Sequence, residues 1–519
     1  MRIGVVLPNL MGLKGWNQLL WNISVKVFLK KIEAAGRERL GDAVNIPIYE
    51  ALQEYCRERN VLLHMPGHKG GRGFKQSEFR EIGAVDFTEV PGLDDLHDPR
   101  GVLAEAQRLA AEAWGAERSL FLVNGATSGI HCLLLALGEE SRVLVPRNAH
   151  RSFLGGLVIS GARPVFVECE MDATLGVALS VKPESIRAKL DSCSDIRGAF
   201  LVSPTYYGTV NEIKEIAEML RERKIPLMVD EAHGAHFVFH PGYPRAALQE
   251  GAQASVHGLH KTMPVLTQAG ILHLGAGFPW SDRVQACHDL LTTTSPSYPL
   301  MASIDIGRAT MQQYGYDLLE QAKERTESCR RLINGIPGFA SRSLEFLETE
   351  GVAGYDPLKL LVEITDLELD GYRLSRLLRE HYGIQVELAG ENHVLAMFSP
   401  FNPPDDWDNL KVALKDISQR YAPRSRDINT YPGFPPIPPL VLTPRESFLS
   451  PHKTVKIKES KGMISAEMAA PYPPGIPCVI PGEVITAEVV DYLIYLKQKG
   501  IPVQGLRDRS LQSIQVVDV

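Results

Sequence analysis

Three short stretches carry side chains whose types and spacing could do chemistry. The first is Asn124-Gly125-Ala126-Thr127-Ser128-Gly129, between the apolar run Ser119–Val123 and an apolar helical pattern that ends at Gly138. Glycine lets a backbone approach a phosphate, hydroxyls donate hydrogen bonds, and a helix N-terminus adds partial positive charge. Alone, the stretch also fits an ordinary N-cap at Thr127 or Ser128. The second stretch, Asp230-Glu231-Ala232-His233-Gly234-Ala235-His236, closes the strand-like run Pro226–Val229. A carboxylate at the end of a buried strand is costly unless a cation needs it. The third is Ser255-Val256-His257-Gly258-Leu259-His260-Lys261-Thr262, ahead of the apolar run Val265–Leu274. Lys261 reads as a plain surface lysine if exposed. If buried, desolvation lowers its pKa and frees the amine for imine formation.

Taken together, the three stretches point to one cofactor. A phosphate cradle, an acid for a protonated pyridine nitrogen and a lysine for an aldehyde follow in chain order, and pyridoxal 5'-phosphate (PLP) needs all three. Lys261 is then the lysine that holds PLP as a Schiff base. Two rival readings concern the second stretch. His233, His236 and His240 could ligate a metal, but their spacing is neither His-Glu-x-x-His nor another zinc pattern, so no metal is expected. The stretch could also be a structural turn with satisfied histidines.

The elements that position these residues alternate from about residue 98. Asp98-Pro99 opens a helical pattern closed by Gly115, and Ser119–Val123 reads as a strand. Strands follow at Arg142–Val145, Pro164–Val167, Ala199–Val202 and Pro226–Val229. Helices lie between them near Phe153–Ser160, Pro183–Leu190 and Asn211–Arg223. This alternation predicts a mostly parallel α/β sheet with ligands at the carboxyl ends of its strands. Beyond about residue 300 a long helix is expected over Tyr316–Leu332, followed by a smaller α+β part. Residues 432–444 hold six prolines and predict an arm without regular helix or central strand. The expected division is an N-terminal extension (1–45), a large PLP-binding domain (46–310), a small α+β domain (311–430), and the arm with a C-terminal segment (431–519).

Length and composition bound the class. A chain of 519 residues exceeds one ordinary domain. An apolar fraction of 44% and a charged fraction of 23% suit a soluble globular protein. A net charge of -7 with no Lys/Arg block gives no sign of a nucleic-acid partner. Seven scattered cysteines without a Cys-x-x-Cys pair read as reduced thiols in the cytoplasm. Residues 1–30 are rather apolar, but Pro8, Lys14 and Asn17 interrupt the run. That argues against a signal peptide and a membrane span, and for an extension packed on the body or on a partner subunit.

Beyond these residues, an ordered series of motifs resembles the Orn/Lys/Arg decarboxylase family, which has the aspartate-aminotransferase-like fold (fold type I). The matching stretches are HMPGHKGGRGF (64–74), DFTEVPGLDDLHDPRG (86–101), LVNGATSGI (122–130), VPRNAHRS (145–152) and SPTYYGTV (203–210). They continue with VDEAHGAHF (229–237), HGLHKTMPVLTQAG (257–270), TTSPSYPLMASID (293–305) and SAEMAAPYPPGIPCVIPGE (465–483). The resemblance implies that Lys261 is the Schiff-base lysine and Asp230 the partner of the pyridine nitrogen. It implies that His150 stacks on the cofactor ring, with Ala232 against the other face. Ala126, Thr127, Ser128, Thr205 and His260 match positions around the cofactor and its phosphate, and His233 a histidine close to the reacting centre. Thr293 and Ser295 would reach the cofactor of a partner subunit, so a homodimer with shared active sites, or a higher homo-oligomer, is expected. Two departures touch the phosphate contacts. Gly258 stands where many relatives have serine before the His-Lys pair, and Ala126 where many have threonine. The chain also lacks room for the large receiver-like N-terminal wing domain and resembles the short form of the family.

The implied reaction is decarboxylation of arginine, lysine or ornithine to agmatine, cadaverine or putrescine, the amines of polyamine biosynthesis. A proton would return to Cα from His233 or Lys261. Asp94, Asp95 and Glu467 are the candidates for the substrate's distal cation, with solvated surface acids as the alternative. Two other functions fit less well: another fold-type I PLP reaction such as transamination, and a non-catalytic regulator that binds basic amino acids or polyamines. A pseudo-enzyme has no need to keep Lys261, Asp230 and His150 together.

Overall fold

Short apolar runs, buried along nearly their whole length, build the central layer. In the computed structural model, which describes residues 44–421, 433–472 and 475–518, seven such runs form one sheet. They are β1 (Arg118–Leu122), β2 (Arg142–Pro146), β3 (Arg163–Val167), β4 (Ile196–Val202), β5 (Leu227–Asp230), β6 (Ala254–His257) and β7 (Gly270–Leu274). Their order is β1-β7-β6-β5-β4-β2-β3. The pairs from β6 to β3 are parallel, and β7 runs antiparallel to both of its neighbours. The expected mostly parallel sheet is therefore present.

Alternate residues serve opposite faces. Val143, Val145, Phe200 and Met228 pack with α3 (Gly125–Leu137), α4 (Arg151–Ser160) and α7 (Ser281–Leu291). Leu144, Ala199, Leu201, Leu227 and Val229 pack with α5 (Pro183–Ser192) and α6 (Ile213–Glu222). Both faces are covered, as parallel strands require.

Two helices depart from expectation, for local reasons. The helix expected to open at Asp98-Pro99 starts at Val102 (α2, Val102–Trp114). The Asp94 carboxylate accepts from the backbone N–H groups of Arg100, Gly101 and Leu103, so the cap comes from upstream and Pro99 stays in the preceding turn. The helix expected over 316–332 spans Tyr298–Ile333 (α8). Ser297 caps it and Pro299 sits in its first turn. Gly307 and Gly315 weaken helical propensity there, but tertiary packing overrides that: a Cβ on Gly307 would stand 2.4 Å from Val265 Cγ1.

The smaller α+β part carries an antiparallel sheet of β8 (Phe339–Ala340), β9 (Lys359–Ile364), β10 (Leu388–Ala389) and β11 (His393–Met397), in the order β8-β9-β11-β10. Helices α9 (Gly371–Tyr382) and α10 (Asp405–Arg420) accompany it. Residues 433–443 contain neither helix nor strand beyond a bridge from Leu440 to Glu483. The C-terminal segment adds the pair β12 (His452–Lys456) and β13 (Ser513–Val517) and the helix α11 (Ala487–Lys499). Residues 46–519 gather into one compact unit. The expected extension at 1–45 lies outside the described residues except for its last two.

Candidate active site

The carboxyl ends of β2, β4, β5 and β6 and the start of α3 surround a cavity of about 410 Å³, within the range of small-molecule pockets. Its lining includes Ala126, Thr127, His150, Thr205, Asp230, Ala232, His233, His260 and Lys261. Residues from five chain segments, singled out for one cofactor, thus face one space.

Each is placed by its element. Gly125 has a left-handed φ of 66° and opens α3. Asn124 offers the helix no side-chain cap, so the first-turn N–H groups remain available to an anion. Gly270 of β7 lies directly beneath, where a Cβ would come within 3.0 Å of the Ala126 nitrogen. Asp230 is 8% exposed, accepts from the Ala232 N–H at 3.2 Å, and forms no ion pair among the described residues. A buried carboxylate in that state fits a cationic ring nitrogen. His150 caps α4, its Nδ1 accepting from the Ser152 N–H at 3.2 Å. Thr209 donates to the Leu179 carbonyl, so Thr205 must donate to Thr209 and turns only acceptor capacity elsewhere. His260 bonds the Ala269 carbonyl at 3.1 Å.

Lys261 follows β6 in a single helical turn, Leu259–Lys261. Burial lowers its pKa, against the opposing pull of Asp230 and Glu387. Its Nζ lies 3.0 Å from His233 Nε2. Lys359 of β9 reaches the other ring nitrogen, with Nζ 3.0 Å from Nδ1. Burial, and after it the Lys359 charge, hold His233 well below the ordinary imidazole range, so the ring is neutral. Burial also brings Lys359 down to about 8, against the attraction of Asp356.

Other candidates are committed elsewhere. Ser128 donates to the Gly125 carbonyl at 3.0 Å and does not line the cavity. Asp94 caps α2. Asp95 accepts from the His97 N–H. Both Glu467 oxygens accept backbone N–H bonds, from Arg507 at 2.7 Å and Gln515 at 2.8 Å. None of the three acids lines this chain's cavity. Thr293 and Ser295 are exposed and lie off it as well. His236 pairs with Asp356 at 3.3 Å, and His240 with Glu320 at 2.9 Å. Among the described residues no three His, Cys, Asp or Glu side chains gather to hold a metal.

The walls contain residues that motif reading missed. Tyr206 lines the cavity, and behind it the exposed Glu387, just before β10 and itself off the lining, accepts a hydrogen bond from the Tyr206 hydroxyl. Met468, Ala470, Tyr472, Ile476 and Gln504 come from the C-terminal segment. That segment is docked by Arg147, which gives Glu483 two bonds of 2.6 and 2.8 Å and the Pro477 carbonyl one of 2.9 Å. Lys359 left one trace in the sequence, a lone cation in the apolar run Leu358–Val362. Glu387 left none.

Comparison with known proteins agrees with this arrangement. Residues 46–403 match the Orn/Lys/Arg decarboxylase major domain, and residues 428–507 match that family's C-terminal domain. An arginine decarboxylase of Bacillus subtilis is 37% identical over 91% of this chain and 97% of its own. The lysine decarboxylase LdcA of Pseudomonas aeruginosa is 25% identical over 92% of this chain and 79% of its own. The solved structure of lysine decarboxylase A from that organism superposes with a TM-score of 0.80 at 22% identity, covering 94% of this chain and 82% of that one.

Proposed function

Because the chain belongs to the Orn/Lys/Arg decarboxylase family of PLP-dependent enzymes acting on basic amino acids, we propose that its own substrate is arginine, cleaved to agmatine and CO2. The observation that carries this choice is the Glu387 carboxylate bonded to Tyr206, whose ring lines the cavity. A carboxylate beside aromatic rings suits a planar guanidinium, which takes paired hydrogen bonds and stacks on aromatic faces better than an ammonium does. The greater identity to a relative named arginine decarboxylase supports the same choice.

The roles of the chain's residues follow from position. Lys261 would hold the cofactor aldehyde and Asp230 its ring nitrogen, with His150 and Ala232 on either side of the ring. The N–H groups at Ala126 and Thr127 would meet the phosphate, with His260 beside them. When bound, PLP supplies the electron sink for the pair left as the Cα–carboxylate bond breaks. His233 and Lys261 are the groups that can return a proton to Cα. Glu387 would anchor the distal guanidinium. We further propose a homodimer, in which the exposed Thr293 and Ser295 serve a second copy's site; sedimentation of the purified protein tests it. Among the described residues no helix is long and apolar enough to cross a membrane.

The test is direct. Protein incubated separately with arginine, lysine and ornithine should release CO2 fastest from arginine, with agmatine in equal amount. Faster release from lysine or ornithine would replace arginine, and keto acid without CO2 would indicate transamination. Borohydride reduction should trap the cofactor on Lys261.

A further inference from the structure

His233 has a lysine on each ring nitrogen. A neutral imidazole offers one N–H and one lone pair. Both 3.0 Å contacts are hydrogen bonds only if at least one lysine is a free amine that accepts from the ring N–H while the other donates to the ring lone pair. Two ammonium groups would set one of them against the ring N–H.

The surroundings decide which lysine carries the charge. Lys359 is 1% exposed and ends the tight turn begun by Asp356, whose carbonyl accepts from the Lys359 N–H at 3.1 Å. The Asp356 carboxylate is wholly buried. One oxygen meets His236 and the Leu358 N–H, and the other has no hydrogen-bond partner among the described residues. A buried carboxylate needs a compensating cation. His236 and Lys359 outweigh the effect of burial and hold Asp356 below the ordinary carboxylate range. The Lys359 ammonium also faces the Tyr206 ring, 5.8 Å from its centre. Lys261, by contrast, must be uncharged to bond an aldehyde carbon. Room for Lys359 comes from Gly208, at φ 103°, where a Cβ would stand 2.7 Å from the Lys359 Cγ.

We infer that Lys359 is a positioning residue of the reaction: its ammonium donates to His233 Nδ1, fixes the ring as the Nε2–H tautomer, and leaves Lys261 as the free amine that accepts from it. The inference rests on Lys261 and His233 standing at the reacting centre and is independent of which basic amino acid is used. It also balances a proton delivery. When Nε2 gives its proton to an acceptor in the cavity, Nδ1 takes one from Lys359 Nζ. The ring stays neutral, and one positive charge leaves Lys359.

The test reads the tautomer in PLP-free protein, where Lys261 is an amine and not a Schiff base. Protein labelled with 15N-histidine, with the His233 signals identified by their loss in His233→Gln, should show Nε2–H at neutral pH. Lys359→Met should lose that preference and Lys359→Arg restore it. In PLP-free protein, reductive methylation of Lys261 at neutral pH should slow about tenfold in Lys359→Met, the equivalent of one pKa unit. An Nδ1–H or doubly protonated His233 in the unmutated protein overturns the inference, even if Lys359→Met does not fold. An unchanged tautomer and methylation rate in a folded Lys359→Met overturn it too. Failure of the Lys261 assignment is distinguishable, since borohydride would then trap the cofactor at another residue.

Discussion

The floor and the walls of the cavity are built by different means. The floor residues, Ala126 to Lys261, sit at strand ends and helix starts of one seven-stranded sheet. Their positions follow from topology, because every parallel crossover returns the chain to the same edge. The rest comes from chain that lies nearly a hundred residues or more beyond. Lys359 on the small sheet and Glu387 just before its strand β10 support wall residues from behind, and Met468 to Gln504 line the cavity from the C-terminal segment. Buried polar contacts set them: Arg147 with Glu483, and Lys359 with His233. The contrast teaches a division of labour under the proposed reading, in which the rigid sheet edge would hold the cofactor and the appended parts would tune the groups around it.

That division can be broken first at the floor. Lys261→Ala should abolish the visible cofactor band and lower kcat by roughly 10³-fold or more, measured by CO2 release with stability unchanged. A similar loss from a wall variant would erase the distinction. The docking pair comes next. Arg147→Met should cost about 3–5 kcal/mol in denaturant unfolding, since it leaves Glu483 buried and uncompensated. The double variant Arg147→Met with Glu483→Leu should recover most of that loss. If the single variant unfolds normally, the C-terminal wall is held by apolar packing instead.

Glu387→Gln sharpens the comparison at the substrate. The KM for arginine should rise roughly 10- to 100-fold with kcat within a few fold, the signature of lost uniform binding. A fall in kcat at constant KM would move Glu387 into the chemistry. The smallest effect is a shift in pH profile. Lys359 is an ammonium below about 8 and loses its charge above it, so the alkaline limb of kcat should fall there. The titratable groups around it are Asp356 on its own turn, His233 and Lys261 from the sheet edge, Tyr206 at the cavity wall and Glu387 behind it. Lys359→Arg stays charged and should carry that limb to higher pH. An unmoved limb would assign it to another group.

Legibility in the sequence followed the same boundary. The alternation of short apolar runs with helices was readable because both faces of a parallel sheet are buried, and that gave the strand end bearing Asp230; the strand Ala254–His257 ahead of Lys261 was not read. The family motifs then supplied the cofactor. Asp94 and Glu467 stood in the same motifs and were misleading as substrate ligands. A carboxylate in a motif can as well serve backbone N–H groups, as both do here. The long helix was read short because its first half carries Gly307 and Gly315, whose purpose is close packing.

What the sequence by itself determined is the fold class, the cofactor chemistry and the floor of the site. All three depend on local pattern and on residues joined by one regular topology. Only the tertiary structure decided that Lys359 meets His233, that Glu387 meets Tyr206 and that the C-terminal segment lines the cavity. The physical reason is that those contacts join residues more than a hundred positions apart through burial, which makes a lone lysine or glutamate consequential and leaves no periodic trace along the chain.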